Sequence, residues 1–403
     1  MSSQLQKLCR VIALPKFTQG SLLKIRSPRN VPLDVVLEPE WRDDARLTLT
    51  HTFSKDDNTR NAVDMTVTTE ERSDDDDDAE TTRGRNVERV DVFVDFKNRT
   101  EDATSPPPSS SNATAPSPPS TAEAAAAAAG ITLTAQIPEK TNISCDVPGA
   151  ITVTKKLEAD ASIALRSHRR SITLHKLRAR DVSLSAAGTI FASSQIEGRD
   201  VTIRSDARVR CRLLHGSDVT VVVDRVAGGD DDGAGELLSR RRDEDDAGAL
   251  VDVGSLYTSR GGRAACVRTT SDVVGEGGAV RIKSHHGHVS VMSHVRDPRG
   301  GGGEDGRRHR PVAAVELGGV NGSCDVAVTS SSSLDDGEND DVGSLLTRVH
   351  VDSLSPGSVS SVRGEGSVEM TMDRKVETDV KLLVCDNLNE DDWEEFLESE
   401  GGE

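Results

Sequence analysis

Asp181-Val182-Ser183-Leu184, Asp200-Val201-Thr202-Ile203 and Asp218-Val219-Thr220-Val221 are three copies of one pattern, and they decide the fold. Each copy is preceded by Leu177, Ile196 or Leu214 and, further back, by a second β-branched pulse at Ile172, Ile190 or Val209. The copies recur every 19 residues or so, roughly the period at which stacked repeats form a solenoid. Inside each pulse apolar and polar residues alternate, which puts one face inside and one outside. Two or three such pulses per copy, separated by turns at Gly188, Gly198 and Gly216, describe one rung of a β-helix. Stacking rungs about 4.8 Å apart pairs every backbone group with the rung above and below.

Working outward, an earlier copy lies in Ile151-Thr152-Val153 with Leu157 and Ile163-Ala164-Leu165. Later ones are Val251 with Val253 and Leu256, Val280-Arg281-Ile282, Val289-Ser290-Val291, Val315-Glu316-Leu317, Asp325-Val326-Ala327-Val328 and Val349-His350-Val351. Val368-Glu369-Met370-Thr371-Met372 is the last strong run. Between them come segments rich in Gly, Asp, Arg or Ser near 228–247, 299–310 and 330–343, which read as disordered inserts thrown out of the scaffold. Upstream, Leu47-Thr48-Leu49-Thr50, residues 62–67 and Val90-Asp91-Val92-Phe93-Val94 alternate as half-buried strands do, interrupted by the acidic run 74–78.

The expected organisation is a basic N-terminal arm or presequence over 1–33, an N-terminal β region over 34–100, a low-complexity linker over 101–130, β-solenoid repeats over 131–385 and an acidic tail over 386–403. The expected fold is all-β: a single-stranded right-handed β-solenoid with disordered acidic and Gly/Ser/Pro-rich inserts. Composition agrees, because only 34% of the 403 residues are hydrophobic and 2% aromatic, so ladders of Val, Ile and Leu must carry the burial.

A net charge of -19 argues against nucleic acid or an anionic membrane surface as the main partner. No stretch reaches the ~20 apolar residues of a membrane span. Against that acidic background, Lys7, Arg10, Lys16, Lys24, Arg26 and Arg29 precede the first acidic residue, Asp34. An acid-poor basic start is typical of an organelle presequence and points to mitochondria; a basic arm leading into a strand at 22–25 points to the cytoplasm instead. The six cysteines include no Cys-x-x-Cys pair and are expected to be reduced, and the sequons at Asn98, Asn112, Asn142 and Asn321 matter only on a secretory route.

The Asp-Val-x-[Leu/Ile/Val] strands, the glycine turns and the segment Val315-Glu316-Leu317-Gly318-Gly319-Val320-Asn321-Gly322-Ser323-Cys324-Asp325-Val326 resemble the adhesin-like family of β-solenoid domains, especially its eukaryotic branch. The resemblance covers roughly residues 131–383. It implies a β-helical fold and supplies no catalytic residue or cofactor.

Candidate chemistry is sparse. His285, His286, His288 and His294 are dense enough to suggest a zinc or copper site, against the plainer reading of polar residues at a turn. Asp181, Asp200 and Asp218 would stack in a column able to hold calcium or sugar, or else cap turns with Arg178, Arg180, Arg199, Arg204 and Arg210 as screening cations. In the tail, Trp393, Phe396 and Leu397 fall at i, i+3 and i+4, as a short partner-binding helix or an end cap would place them. The functional expectation is a non-enzymatic protein-binding or scaffold protein without a cofactor. A carbohydrate-active solenoid enzyme and a metal-binding protein built on the histidines are the alternatives.

Overall fold

The computed structural model describes residues 5–14, 17–54, 63–71, 87–96, 130–225, 249–259, 265–271, 279–295, 312–330, 345–364 and 366–378. The inserts near 228–247 and 299–310, the acidic run 74–78, nearly all of the 101–130 linker, most of the 330–343 insert and the whole 386–403 tail lie outside these residues. Every regular element among the described residues is a β-strand.

The chain opens with β1 (Leu5–Leu14), β2 (Phe17–Arg26), β3 (Leu33–Glu40), β4 (Ala45–Ser54), β5 (Val63–Glu71), β6 (Val87–Phe96) and β7 (Gly130–Pro138). The regular region follows with β8 (Asn142–Val147), β9 (Ile151–Glu158), β10 (Ser162–Ser167), β11 (Ile172–Arg178), β12 (Asp181–Ala186), β13 (Ile190–Glu197), β14 (Asp200–Ser205), β15 (Val209–Gly216) and β16 (Asp218–Arg225). Then come β17 (Val251–Thr258), β18 (Ala265–Ser271), β19 (Val280–Val295), β20 (Val312–Ser330), β21 (Leu345–Leu354), β22 (Ser361–Gly364) and β23 (Ser367–Met372).

Each repeat supplies two strands, one to each of two parallel layers. Sheet 1 stacks β2, β8, β10, β12, β14, β16 and β18. Sheet 2 stacks β3, β9, β11, β13, β15 and β17. The long strands β19 and β20 serve both: their first halves extend sheet 2, and their second halves extend sheet 1. β22 then extends sheet 1, while β21 and β23 extend sheet 2. The solenoid expectation is met, at two strands per rung.

Alternation explains the interior. Val182, Val201 and Val219 stand in one column and Leu184, Ile203 and Val221 in the next, each at most 2% exposed. Ile172, Ile190, Val209 and Val251 face them from sheet 2, also buried. All belong to one hydrophobic cluster, in which each side chain contributes roughly 1.5–3 kcal/mol of burial before entropy is charged. Polar intruders are satisfied locally: the buried Ser205 hydroxyl sits 2.9 Å from the Gly188 carbonyl and 3.1 Å from that of Arg208, so it can donate to either.

The two corners of a rung differ. At the first, from sheet 1 to sheet 2, the chain turns within a few residues after β10, β12 and β14, but 226–248, 272–278, 296–311 and 331–344 all leave and return there. At the second corner, β19 and β20 bend without breaking, at Gly287 (φ +105°) and Gly322 (φ +147°). A Cβ on Gly287 would overlap the Thr258 hydroxyl and one on Gly322 the Gly287 carbonyl oxygen, so both size and backbone conformation demand glycine.

The basic N-terminal stretch contains two strands, β1 and β2. β2 pairs with β6 and β8, and its Leu23 and Ile25 are fully buried. Parallel stacking therefore begins at β2 and β3, well before residue 131. Beyond them direction reverses: in sheet 2 β4 adds antiparallel to β7 and β1 antiparallel to β4, and in sheet 1 β5 adds antiparallel to β6.

Candidate functional site

The outer face of sheet 2 carries one row beside the second corner: Lys140, Glu158, Arg178, Glu197, His215, Tyr257 and His286, one per rung. In-register stacking forces each of these side chains onto its neighbour, so like charges are excluded and opposite ones alternate. Arg178 lies 3.4 Å from Glu197 and 4.0 Å from Glu158, and Lys156 adds a 2.8 Å contact to Glu158. The hydrogen bond from Lys156 holds the Glu158 carboxyl below its ordinary range, so it stays ionised.

Where the charges end, aromatic rings take over. Tyr257 and His286 stack with centroids 4.4 Å apart and planes 5° from parallel, and His215 meets Tyr257 edge-on at 6.4 Å. Tyr257 keeps 36% of its surface exposed. An open groove of about 490 Å³ runs beside the charged part of the row, lined by Lys140, Glu158, Arg178, Arg180, Glu197 and His215 among others. Such a surface can hold an extended partner by charge and by stacking.

The histidine cluster disperses. His285 points inward and is 1% exposed, and burial pushes its pKa down to about 4, the backbone at Gly287 opposing the shift and His286 and His288 adding to it. His286 joins the stack, and His294 Nδ1 lies 2.9 Å from Thr329 Oγ1. His288 Nδ1 sits 2.5 Å from the Ser323 hydroxyl and its Nε2 lies 3.4 Å from Asp325. Among the described residues, no three His, Cys, Asp or Glu side chains converge as metal ligands.

Asp325, His288 and Ser323 form a hydroxyl–imidazole–carboxylate chain beside the glycine corner. Ser323 is only 8% exposed, and Asp325 also accepts a 2.8 Å hydrogen bond from Ser361. The same motif recurs at Thr371, His350 and Asp352, with distances of 2.7 and 3.1 Å. Both chains tie an imidazole across rungs, Ser323 being buried and Thr371 exposed.

The aspartate column exists: Asp181 pairs in register with Asp200, and Asp200 with Asp218. Arg199 sits 2.7 Å from Asp200 and 4.0 Å from Asp181, and its hydrogen bond lowers the Asp200 pKa, as screening by arginine requires. Of the described cysteines, Cys145, Cys211 and Cys324 are buried and free; burial raises Cys211 to about 12 and Cys324 to about 11. Asn142 is tied into the corner, donating to the Gly20 carbonyl at 2.8 Å and accepting from the Ala161 and Ser162 amides.

Trp393, Phe396 and Leu397 lie outside the described residues. The chain's other tryptophan, Trp41, carries no motif around it and is 89% exposed at the β3–β4 connection. No family model, curated protein or solved structure matches this chain.

Proposed function

We propose that this is a non-enzymatic binding or scaffold protein that holds a protein partner along the outer face of sheet 2. The observation that carries the reading is the charged row that ends in the Tyr257–His286 stack beside an open groove. Exposed aromatic area next to fixed, alternating charges is the usual make-up of a recognition surface. The resemblance to adhesin-like solenoids agrees with it. Affinity purification of the tagged protein from its own cells tests the idea, with a Tyr257→Ala/His286→Ala variant alongside. A partner retained by the wild type and lost by the variant is expected; an identical partner set from both removes the proposal.

A second reading, distinct from the carbohydrate-active enzyme expected from the sequence, is a serine-type hydrolase, and the Asp325–His288–Ser323 chain is the observation in its favour. Labelling of Ser323 by a fluorophosphonate probe would establish it. The burial of Ser323 leads us to expect none. For localisation, mitochondrial residence with β2 retained is the version compatible with a buried Leu23 and Ile25. N-terminal sequencing of the cellular protein should find a start before Phe17.

A further inference from the structure

Sheet 2 carries a second outer row, Arg210, Asp252, Arg281, Glu316, Arg348 and Glu369, at one register position on six successive strands. Its signs alternate without a break, and ion pairs close at 3.6 Å for Arg210–Asp252, 3.0 Å for Arg281–Glu316 and 2.9 Å for Arg348–Glu369. Glu369 is the last member, on β23, where the described part of sheet 2 stops. On the same strand Val368, Met370 and Met372 continue the inward columns of Thr347, Val349 and Val351. Those three are fully buried, whereas Val368 is 45% and Met370 37% exposed. Among the described residues the edge therefore presents an unpaired backbone, an uncovered apolar row and a carboxylate whose next neighbour, by the alternation, is a cation.

We propose that this edge is the docking site of the chain's own residues Val380-Lys381-Leu382, which lie outside the described residues, added antiparallel to β23. Setting Lys381 opposite Glu369 puts Val380 opposite Met370 and Leu382 opposite Val368, so charge and apolar parity are satisfied at once. The register places Thr378 opposite Met372 and leaves residues 373–377 as the connection, a common hairpin loop length. A turn is already present there: the Val376 amide donates to the Asp373 carbonyl at 3.0 Å. Other occupants fit less well. No Lys or Arg follows Lys381, so the rest of the tail offers Glu369 no cation. A second copy pairing through β23 brings none either, because Glu369 is the only charged residue of that strand.

A charge-swap cycle on the full chain, read by hydrogen–deuterium exchange of residues 367–372, tests the docking. Glu369→Lys and Lys381→Glu are each expected to speed exchange several-fold, and the double swap to restore it. Leu382→Asp, which meets the apolar row, is expected to speed it about tenfold. Additive single effects with no rescue would overturn the proposal. So would exchange that slows with protein concentration, which would assign the edge to a second copy. Since neither Tyr257 nor His286 is touched, the outcome is independent of partner retention on the outer face.

Discussion

The two ends of the solenoid are finished differently. At the N-terminal end the strand direction reverses, through β4 and β1 in sheet 2 and β5 in sheet 1. Arg10 then occupies the inward register of β1, opposite the buried Leu49, and is paired at 2.8 Å with Asp64 of β5. A charge at the inward register of an edge strand opposes the addition of another apolar strand. At the C-terminal end, β22 and β23 are still parallel, and Val368 and Met370 face inward with nothing over them among the described residues. The contrast teaches that identical rungs carry no instruction to stop. An end must be made by a change of direction and a charge, and both are visible at only one end.

Mirror-image truncations should separate the ends most sharply. Ile25→Ala, fully buried inside the stack, is expected to cost about 2–5 kcal/mol, and Met370→Ala, which the proposed tail strand covers on one side only, about 1–2 kcal/mol, read from urea midpoints. Equal losses would mean that the C-terminal edge is as well covered as the N-terminal one. Acid probes the rungs between. The folded pKa of His285, about 4, lies below the 6.5 of a free imidazole, so the unfolded chain binds the proton first. The contribution is complete above about pH 6.5 and is lost as pH falls toward 4, by about 2–3 kcal/mol. His285→Leu should flatten that limb of the stability curve, and an unchanged slope would contradict the assignment.

The corner glycines come next. Gly322→Ala is expected to cost about 2–3 kcal/mol, and Gly357→Ala, whose added Cβ meets open space at φ +73°, about 1 kcal/mol. Equal costs would show that stacking at the second corner does not limit the fold. Smallest in stability is Arg10→Ala, below about 1 kcal/mol because the pair is exposed. Its readout is sedimentation: self-association that rises with concentration is expected, and a variant as monodisperse as the wild type would remove the blocking role.

Where the repeat is clean, the fold was legible. The Asp181, Asp200 and Asp218 copies stack as their spacing requires, and their flanking pulses form the second sheet. The first rung was not legible as such, since Leu22-Leu23-Lys24-Ile25 lacks the Asp-Val signature, and only its pairing with β8 shows it to be part of the stack. The site residues were hidden for a different reason. Tyr257 touches His286, and Ser323 touches His288, only because intervening segments close at one corner and restore the register. Local sequence density therefore grouped the four histidines, whereas alternation sends His285 and His286 to opposite faces.

The placement of the 226–248, 296–311 and 331–344 connections at the first corner has an engineering consequence. A chain segment grafted there, for instance between Ala187 and Gly188, enters at a position whose counterparts on other rungs already admit 226–248 or 296–311. Foreign epitopes can therefore be displayed at successive teeth about 4.8 Å apart along one side of the molecule, whereas the bends of β19 and β20 at the opposite corner, built on Gly287 and Gly322, leave no room even for a Cβ.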